Sequence, residues 1–128
     1  MTEQNMPEQA SPGKIEIYDD VIKTIAGVAA GKVPGICGMK GGWLKGAKQA
    51  LTGMKDYAAG VEVNREADGS FTLDLDIIIE DGVKVEVVAV AAQAAVKAKV
   101  EEVTGRAVNA VNINIADIKL PEDLMKPQ

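Results

Sequence analysis

Residues 13–39, GKIEIYDDVIKTIAGVAAGKVPGICGM, decide the fold of this chain because they join two patterns of different period. Ile15 and Ile17 alternate with polar residues, which predicts a short strand. Asp19 or Asp20 can cap a helix that begins next, and the glycines and proline after it end that helix. The helix carries apolar residues at helical spacing, namely Val21, Ile22, Ile25, Ala26, Val28 and Ala29.

The rest of the chain predicts two strands, a long helix and a last strand. Residues 61–66 and 71–80 flank a turn and alternate in polarity, which is typical of a hairpin. A helical apolar stripe then runs from about residue 83 to 104, and Gly105 stands where a left-handed cap is expected. Residues 108–118 alternate again and predict the last strand.

The predicted order is therefore β-α-β-β-α-β, in a single α+β domain over residues 13–118. Two helices on one face of a mostly antiparallel four-stranded sheet would bury both helix stripes with short connections. The other face of the sheet would stay open. Residues 1–12 are predicted to be a disordered arm, residues 119–128 a flexible tail, and residues 36–60 a Gly/Lys-rich insertion loop.

Composition narrows the classes of function. The length of 128 residues suits one domain. The chain has no histidine and a single cysteine, Cys37, so Ser-His-Asp and Cys-His nucleophiles and histidine-based metal sites are excluded. One cysteine also fits a reducing compartment. No signal-peptide pattern or membrane-spanning apolar run is present in the sequence, and we expect a cytoplasmic protein.

Residues 21–60 form a basic island in an acidic chain. They hold six lysines against Asp56, a net of +5, whereas the whole chain carries −5. Drawn as a helix, residues 43–58 separate an apolar face from a lysine face. This pattern is typical of a segment that lies on an anionic membrane or docks in a partner's groove. The alternative is a third small core helix or a mobile loop. The predicted contact residues are Trp43, Leu44, Lys45, Lys48 and Lys55.

Such a membrane contact would be weak and peripheral. Each lysine contributes only about 1 kcal/mol at an anionic surface. Stable attachment would therefore need a protein partner or many copies of the chain.

Two other classes of function compete with this hypothesis. Residues 35–38 match the GxxG spelling of KH domains, so an RNA-binding module would use Lys32, Gly35, Gly38 and Lys40. The acidic and amide groups of the predicted open sheet face would repel phosphate, which disfavours nucleic acid. The third hypothesis is an enzyme or divalent-cation site at Asp74 and Asp76, which project from one strand face. Alternation of this kind is also what a half-buried strand requires.

Several short motifs together resemble the alkaline shock protein family, the general stress proteins of the bacterial envelope-stress response. They are Gly13-Lys14-Ile15-Glu16-Ile17, Val21-Ile22 with Ile25-Ala26-Gly27, Gly35-Ile36 with Gly38-Met39, Gly60-Val61 and the Thr104-Gly105 helix end. The resemblance implies a non-enzymatic cytoplasmic protein that self-associates into a homo-oligomer and is held near the membrane by protein partners, such as a membrane-anchored protein. It supplies no catalytic residues, and we expect no cofactor and no metal.

Overall fold

The computed structural model of the chain describes residues 12–41 and 57–120. The predictions made for residues 1–11, 42–56 and 121–128 lie outside this part of the chain, and so do all five predicted contact residues from Trp43 to Lys55. The described elements are α1 (Asp19–Gly31), β1 (Ile36–Met39), β2 (Val61–Arg65), β3 (Phe71–Glu80), α2 (Val85–Thr104) and β4 (Val108–Lys119).

The predicted fold class is confirmed, with one strand supplied by a different segment. Two helices pack on a four-stranded, mostly antiparallel sheet, and the element order is α-β-β-β-α-β. The stretch around Ile15 and Ile17 forms no strand, and the first four residues of the predicted insertion loop form β1 instead. The places beside β3 are taken by β1, β2 and β4, so the four-stranded sheet is complete without this stretch.

Arg65 holds the segment that leads into α1. Its Nε donates to Asp19 Oδ1 at 2.9 Å, and its Nη2 donates to the Ile17 carbonyl. The same guanidinium stands 5.2 Å from the ring centroid of the buried Phe71. The Ile15 side chain nevertheless stays 86% exposed. Ile17 is partly buried against the core, so the segment is held by this packing and by Arg65 rather than by a strand ladder.

β1 and β2 lie end to end along the same edge of β3 and run in the same direction. Ile36 and Met39 face Ile79 and Ile77, and the β2 residues Val61 to Arg65 face Leu75 to Phe71. The two elements are thus halves of one antiparallel strand. The chain leaves this strand after Lys40 and returns at Gly60, and we call residues 41–59 the insert.

β4 completes the sheet on the opposite edge of β3 and runs parallel to it. Parallel neighbours need a long crossover, which α2 provides. Leu73 faces Val111 and Ile77 faces Ile115 in this ladder. Gly105 ends α2 at a φ of 72°, which confirms the predicted left-handed cap.

The core lies between the sheet and both helices, which occupy one face of it. The strand β3 turns alternate side chains to the helices, and these are at most 1% exposed: Phe71, Leu73, Leu75, Ile77 and Ile79. The α2 stripe of Val88, Ala92, Val96 and Val100 joins Ile22 and Ala26 of α1 in the same cluster. Among the described residues, Val, Ile, Leu and Ala therefore build most of this core, together with Met39 and the ring of Phe71.

Three side chains of α2 bond to the backbone at the start of β4. Gln93 Nε2 donates to the Val111 carbonyl at 3.0 Å, and Lys97 Nζ donates to the Val108 carbonyl at 2.9 Å. Glu101 Oε2 accepts from the Val108 N–H at 2.8 Å and from Lys97 Nζ at 2.9 Å. These contacts occupy backbone groups that an edge strand would otherwise expose.

The Glu101 carboxylate should make part of the stability depend on pH. The hydrogen bond from the Val108 N–H, followed by the Lys97 ammonium, holds the pKa of Glu101 below its ordinary 4.5. A lowered folded-state pKa stabilises the native state above about pH 4.5, and this contribution disappears as the pH falls through the folded-state value. We expect Glu101→Gln to flatten the acid-induced drop in melting temperature below pH 4.5.

Melting temperatures measured between pH 7 and pH 3 would check this expectation. Glu102→Gln is the matched control, because it removes the neighbouring carboxylate without touching β4. If the two variants give parallel acid profiles, the Glu101 contact does not contribute as inferred.

Candidate interaction surfaces

Both ends of the insert meet at one residue of β3. The Lys40 N–H donates to the Asp76 carbonyl at 3.0 Å, and the Asp76 N–H donates to the Gly60 carbonyl at 2.8 Å. Gly60 has a φ of +78°, and a Cβ on it would lie 3.0 Å from the Asp76 and Lys40 carbonyl oxygens. A side chain at this position would therefore force the two ends apart.

Gly27 in the middle of α1 makes room for the returning end of the insert. The backbone of Tyr57 crosses α1 there. A Cβ on Gly27 would overlap the Tyr57 carbonyl oxygen and lie 2.7 Å from the Tyr57 carbonyl carbon. The Tyr57 ring reaches Gly31, one turn further along the helix. Helical periodicity did not identify this contact, although an isolated glycine inside a helix pattern is a signal for close approach. We call Gly27, Tyr57, Gly60 and Asp76 the root of the insert.

The predicted RNA-binding residues do not converge on one point in the structure. Gly35 lies in a turn with a φ of +98°, and a Cβ on it would lie 2.9 Å from Val88 Cγ2. Gly38 is paired with Ile78 in the sheet. Lys32 precedes β1 and Lys40 follows it, so a strand of about 13 Å separates them. The GxxG sequence at residues 35–38 thus forms a turn followed by a paired strand, and this arrangement does not favour a phosphate clamp.

Cys37 lies inside the same strand, at an irregularity of the pairing between β1 and β3. Burial and then the nearby Glu80 carboxylate raise the pKa of its thiol above the ordinary value, against a smaller opposing effect of Lys119. A raised pKa reduces the thiolate fraction at neutral pH, so this side chain is poorly suited to nucleophilic chemistry.

The open face of the sheet carries carboxylates that bond to amides from neighbouring strands. Asp74 accepts from Asn112 Nδ2 at 2.9 Å and from Asn64 Nδ2 at 3.3 Å, and Asp76 accepts from Asn114 Nδ2 at 3.0 Å. In residues 12–41 and 57–120, no group of three or more His, Cys, Asp or Glu could hold a metal ion. The arrangement forms a polar, negatively charged surface, which would repel phosphate groups.

A groove of about 470 Å³ runs between the two helices on the other side of the molecule. Its floor is apolar and Lys32 and Lys99 stand at its rim. Lys99 lies 3.5 Å from Glu102, which compensates part of that charge. The side of the molecule that holds the helices is therefore less acidic than the open sheet face. In the described ranges, neither helix has the length and apolar character needed to cross a membrane.

Comparisons with known proteins agree with the resemblance that the motifs indicated. Uncharacterized protein YqhY of Bacillus subtilis is 32% identical over 112 residues, which cover 88% of this chain and 82% of that protein. A protein described as a stress response regulator gls24 homolog, from Streptococcus pyogenes, is 30% identical over 110 residues. That match covers 86% of this chain and 61% of the streptococcal protein.

A family model also matches most of the chain, whereas no solved structure matches it. The model describes the alkaline shock protein 23 family, with a cell envelope-related function, and covers residues 7–120. The predicted resemblance to alkaline shock proteins is confirmed. The chain belongs to the alkaline shock protein 23 family of cell envelope-related stress proteins.

Proposed function

We propose that this chain is a non-catalytic interaction module of the envelope-stress response. It works in the cytoplasm close to the membrane, self-associates, and binds a protein partner through the basic part of its insert. Trp43 and Leu44 supply the apolar anchor, and Lys45, Lys48 and Lys55 supply the charge. A membrane-anchored protein with an acidic surface is the kind of partner that this chemistry fits.

The geometry of the root carries this proposal. The residues that flank the insert, Lys40 and Gly60, both bond to the backbone of Asp76 in β3. The returning end of the insert crosses α1 at Gly27. Gly60 lies beside Glu62, Asp74 and Asp76 on the open sheet face, whereas Tyr57, three residues earlier, lies against α1 on the side of the helices. The returning end of the insert is thus held on the less acidic side of the molecule, which supports a contact between the adjoining lysines and an anionic surface.

The remaining described surfaces favour binding over catalysis. The carboxylates of Asp74 and Asp76 already accept hydrogen bonds from amides, and burial raises the pKa of Cys37. The family has a cell envelope-related function, and the streptococcal relative is described as a stress response regulator homolog. These observations support an interaction module, and the insert is the part of it that the proposal makes specific.

A vesicle experiment tests the direct contact with anionic surfaces. The wild-type chain should co-sediment with vesicles that contain anionic lipid, and salt should weaken this binding. The variant Trp43→Ala/Lys45→Glu/Lys48→Glu should bind at least about 30-fold more weakly, because each lysine contributes about 1 kcal/mol. Neutral vesicles should bind neither protein.

The matched control is Tyr18→Ala/Lys14→Glu/Lys99→Glu, which removes one exposed aromatic ring and reverses two lysines on the described surface. It should bind like the wild type. Equal weakening of both variants would assign the effect to net charge and contradict a specific role for the insert.

A further inference from the structure

The free edge of β4 faces away from β3, and hydrogen bonds identify which backbone groups it presents. The Phe71 N–H donates to the Ala107 carbonyl, so that carbonyl points toward β3. The Val108 and Val111 groups that bond to side chains of α2 point the other way. Because strand residues alternate in direction, Ile113 and Ile115 follow Val111 along the outward edge.

The side chains that protect this edge stop at one position of α2. Glu101, Lys97 and Gln93 are spaced four residues apart, which places them in one row of the helix. The next position in that row is Ala89, whose methyl group cannot form a hydrogen bond. At the C-terminal end of β4, Asp117 Oδ1 accepts a hydrogen bond from the Ile118 N–H at 2.8 Å.

Between these two protected ends lies an open window of β4. In the part of the chain that the structure describes, no side chain bonds to the backbone of Ile113 or Ile115. The Ile115 side chain is 38% exposed. Val90, three residues before Gln93 on the same side of α2, is 59% exposed. The window thus combines outward backbone groups with exposed apolar side chains.

We propose that a second copy of this chain pairs with the window, antiparallel and about a two-fold axis at Asn114. Ile113 of each copy would then face Ile115 of the other, and each such pair would exchange both backbone hydrogen bonds. The window is self-complementary in this register because it contains only two outward residues, one on either side of the axis. This pairing rests on the self-association in the proposed function and assigns it a surface.

Charge and burial favour a second copy as the occupant. Residues 108–116 carry no charged side chain, so two copies can approach without bringing like charges opposite each other. Pairing would cover Ile115 with an isoleucine of the second copy. The other surface that could support self-association, the open face around Ile78, offers little because Ile78 is only 8% exposed.

Cross-linking at the axis tests the register. Asn114 would face itself across the axis as a non-hydrogen-bonded pair, with Cα atoms about 4.5 Å apart, within reach of a disulfide. In a Cys37→Ser background, Asn114→Cys should give mostly covalent dimer when treated with diamide. Asn112→Cys is the matched control, because it loses an equivalent bond to an aspartate but would face Ala116 of the second copy. It should cross-link at least tenfold more slowly.

Two further variants test the window without a new cysteine. Ala89→Gln adds a polar side chain to the row of Gln93, Lys97 and Glu101, and Ile115→Lys puts a charge into the window. Each variant should therefore shift the chain toward monomer in sedimentation velocity. Ile15→Lys, at an isoleucine that is 86% exposed elsewhere, should leave association unchanged.

The possible outcomes separate this proposal from the proposed function. If the wild type sediments as an oligomer but Asn114→Cys fails to cross-link, or cross-links no faster than Asn112→Cys, the window proposal is overturned and self-association stands. A wild type that is monomeric at every concentration overturns both, and leaves the partner contact through the insert to its own test. Protection of the Ile113 and Ile115 N–H groups from hydrogen exchange in a monomer would show that another segment of the same chain covers the edge, and would overturn the proposal.

Discussion

Gly27→Ala should lower the free energy of unfolding of the full chain by about 1–3 kcal/mol, the usual cost of forcing an extra group into a packed site. The reason is steric, because the new Cβ would overlap the Tyr57 carbonyl oxygen. Relief would require the returning end of the insert to move away from α1. Chemical denaturation of the two proteins measures the difference directly.

The same substitution should have the opposite sign in a chain that lacks residues 41–60. Without Tyr57 above it, position 27 becomes an ordinary helix position, where alanine is about 1 kcal/mol more favourable than glycine. Gly31→Ala is the matched control, because its Cβ would be 3.8 Å from the Tyr57 ring and therefore fits in both chains. If Gly27→Ala has the same effect in both backgrounds, the insert does not pass over α1 as described.

Deletion of residues 41–60 should weaken binding to the envelope while the rest of the chain stays folded. Met39 faces Ile77 and Val61 faces Leu75, so a direct link from Lys40 to Val61 leaves one residue opposite Asp76. β1 and β2 would then become one continuous strand in the register that they already have. We expect the shortened chain still to unfold cooperatively on heating. Its binding to the envelope should be at least tenfold weaker than that of the full chain.

Sequence patterns predicted the elements whose periodicity is strong. The stripe of α2, its Gly105 cap and the alternation of β3 were correctly predicted, because each is a local signal repeated over many residues. The helix α1 was also correctly predicted from its apolar spacing, but the predicted cap was wrong: Tyr18 is the N-cap, and Asp19 and Asp20 lie in the first turn. In each case the local preference and the burial of the element agree.

The sequence patterns predicted the wrong segment as a strand where pairing within the sheet decides which segment becomes one. Ile15 and Ile17 alternate well, yet residues 36–39 take the place beside β3 that completes the four-stranded sheet. Residues 36–39 contain a glycine and no clear alternation, and they pair because they continue the line of β2. Pairing across the insert is a long-range property that no local period encodes.

The root of the insert was hidden for the same reason. In the sequence, Gly27 stood out only as part of the Ile25-Ala26-Gly27 motif, and its role depends on Tyr57, which is distant in sequence. The row of Gln93, Lys97 and Glu101 on α2 was also not identified, because no local pattern distinguishes these residues from an ordinary solvated helix face. Only the position of β4 beside that face gives them a function.

The most direct test of the central claim is the distribution of the chain between envelope and soluble fractions of the bacterium that carries it. The full chain should be recovered mainly with the envelope, and the chain lacking residues 41–60 mainly in the soluble fraction, with circular dichroism showing that the shortened protein is folded. The vesicle control Tyr18→Ala/Lys14→Glu/Lys99→Glu should stay with the envelope. A folded, shortened chain that remains in the envelope fraction to the same extent as the full chain would contradict the account.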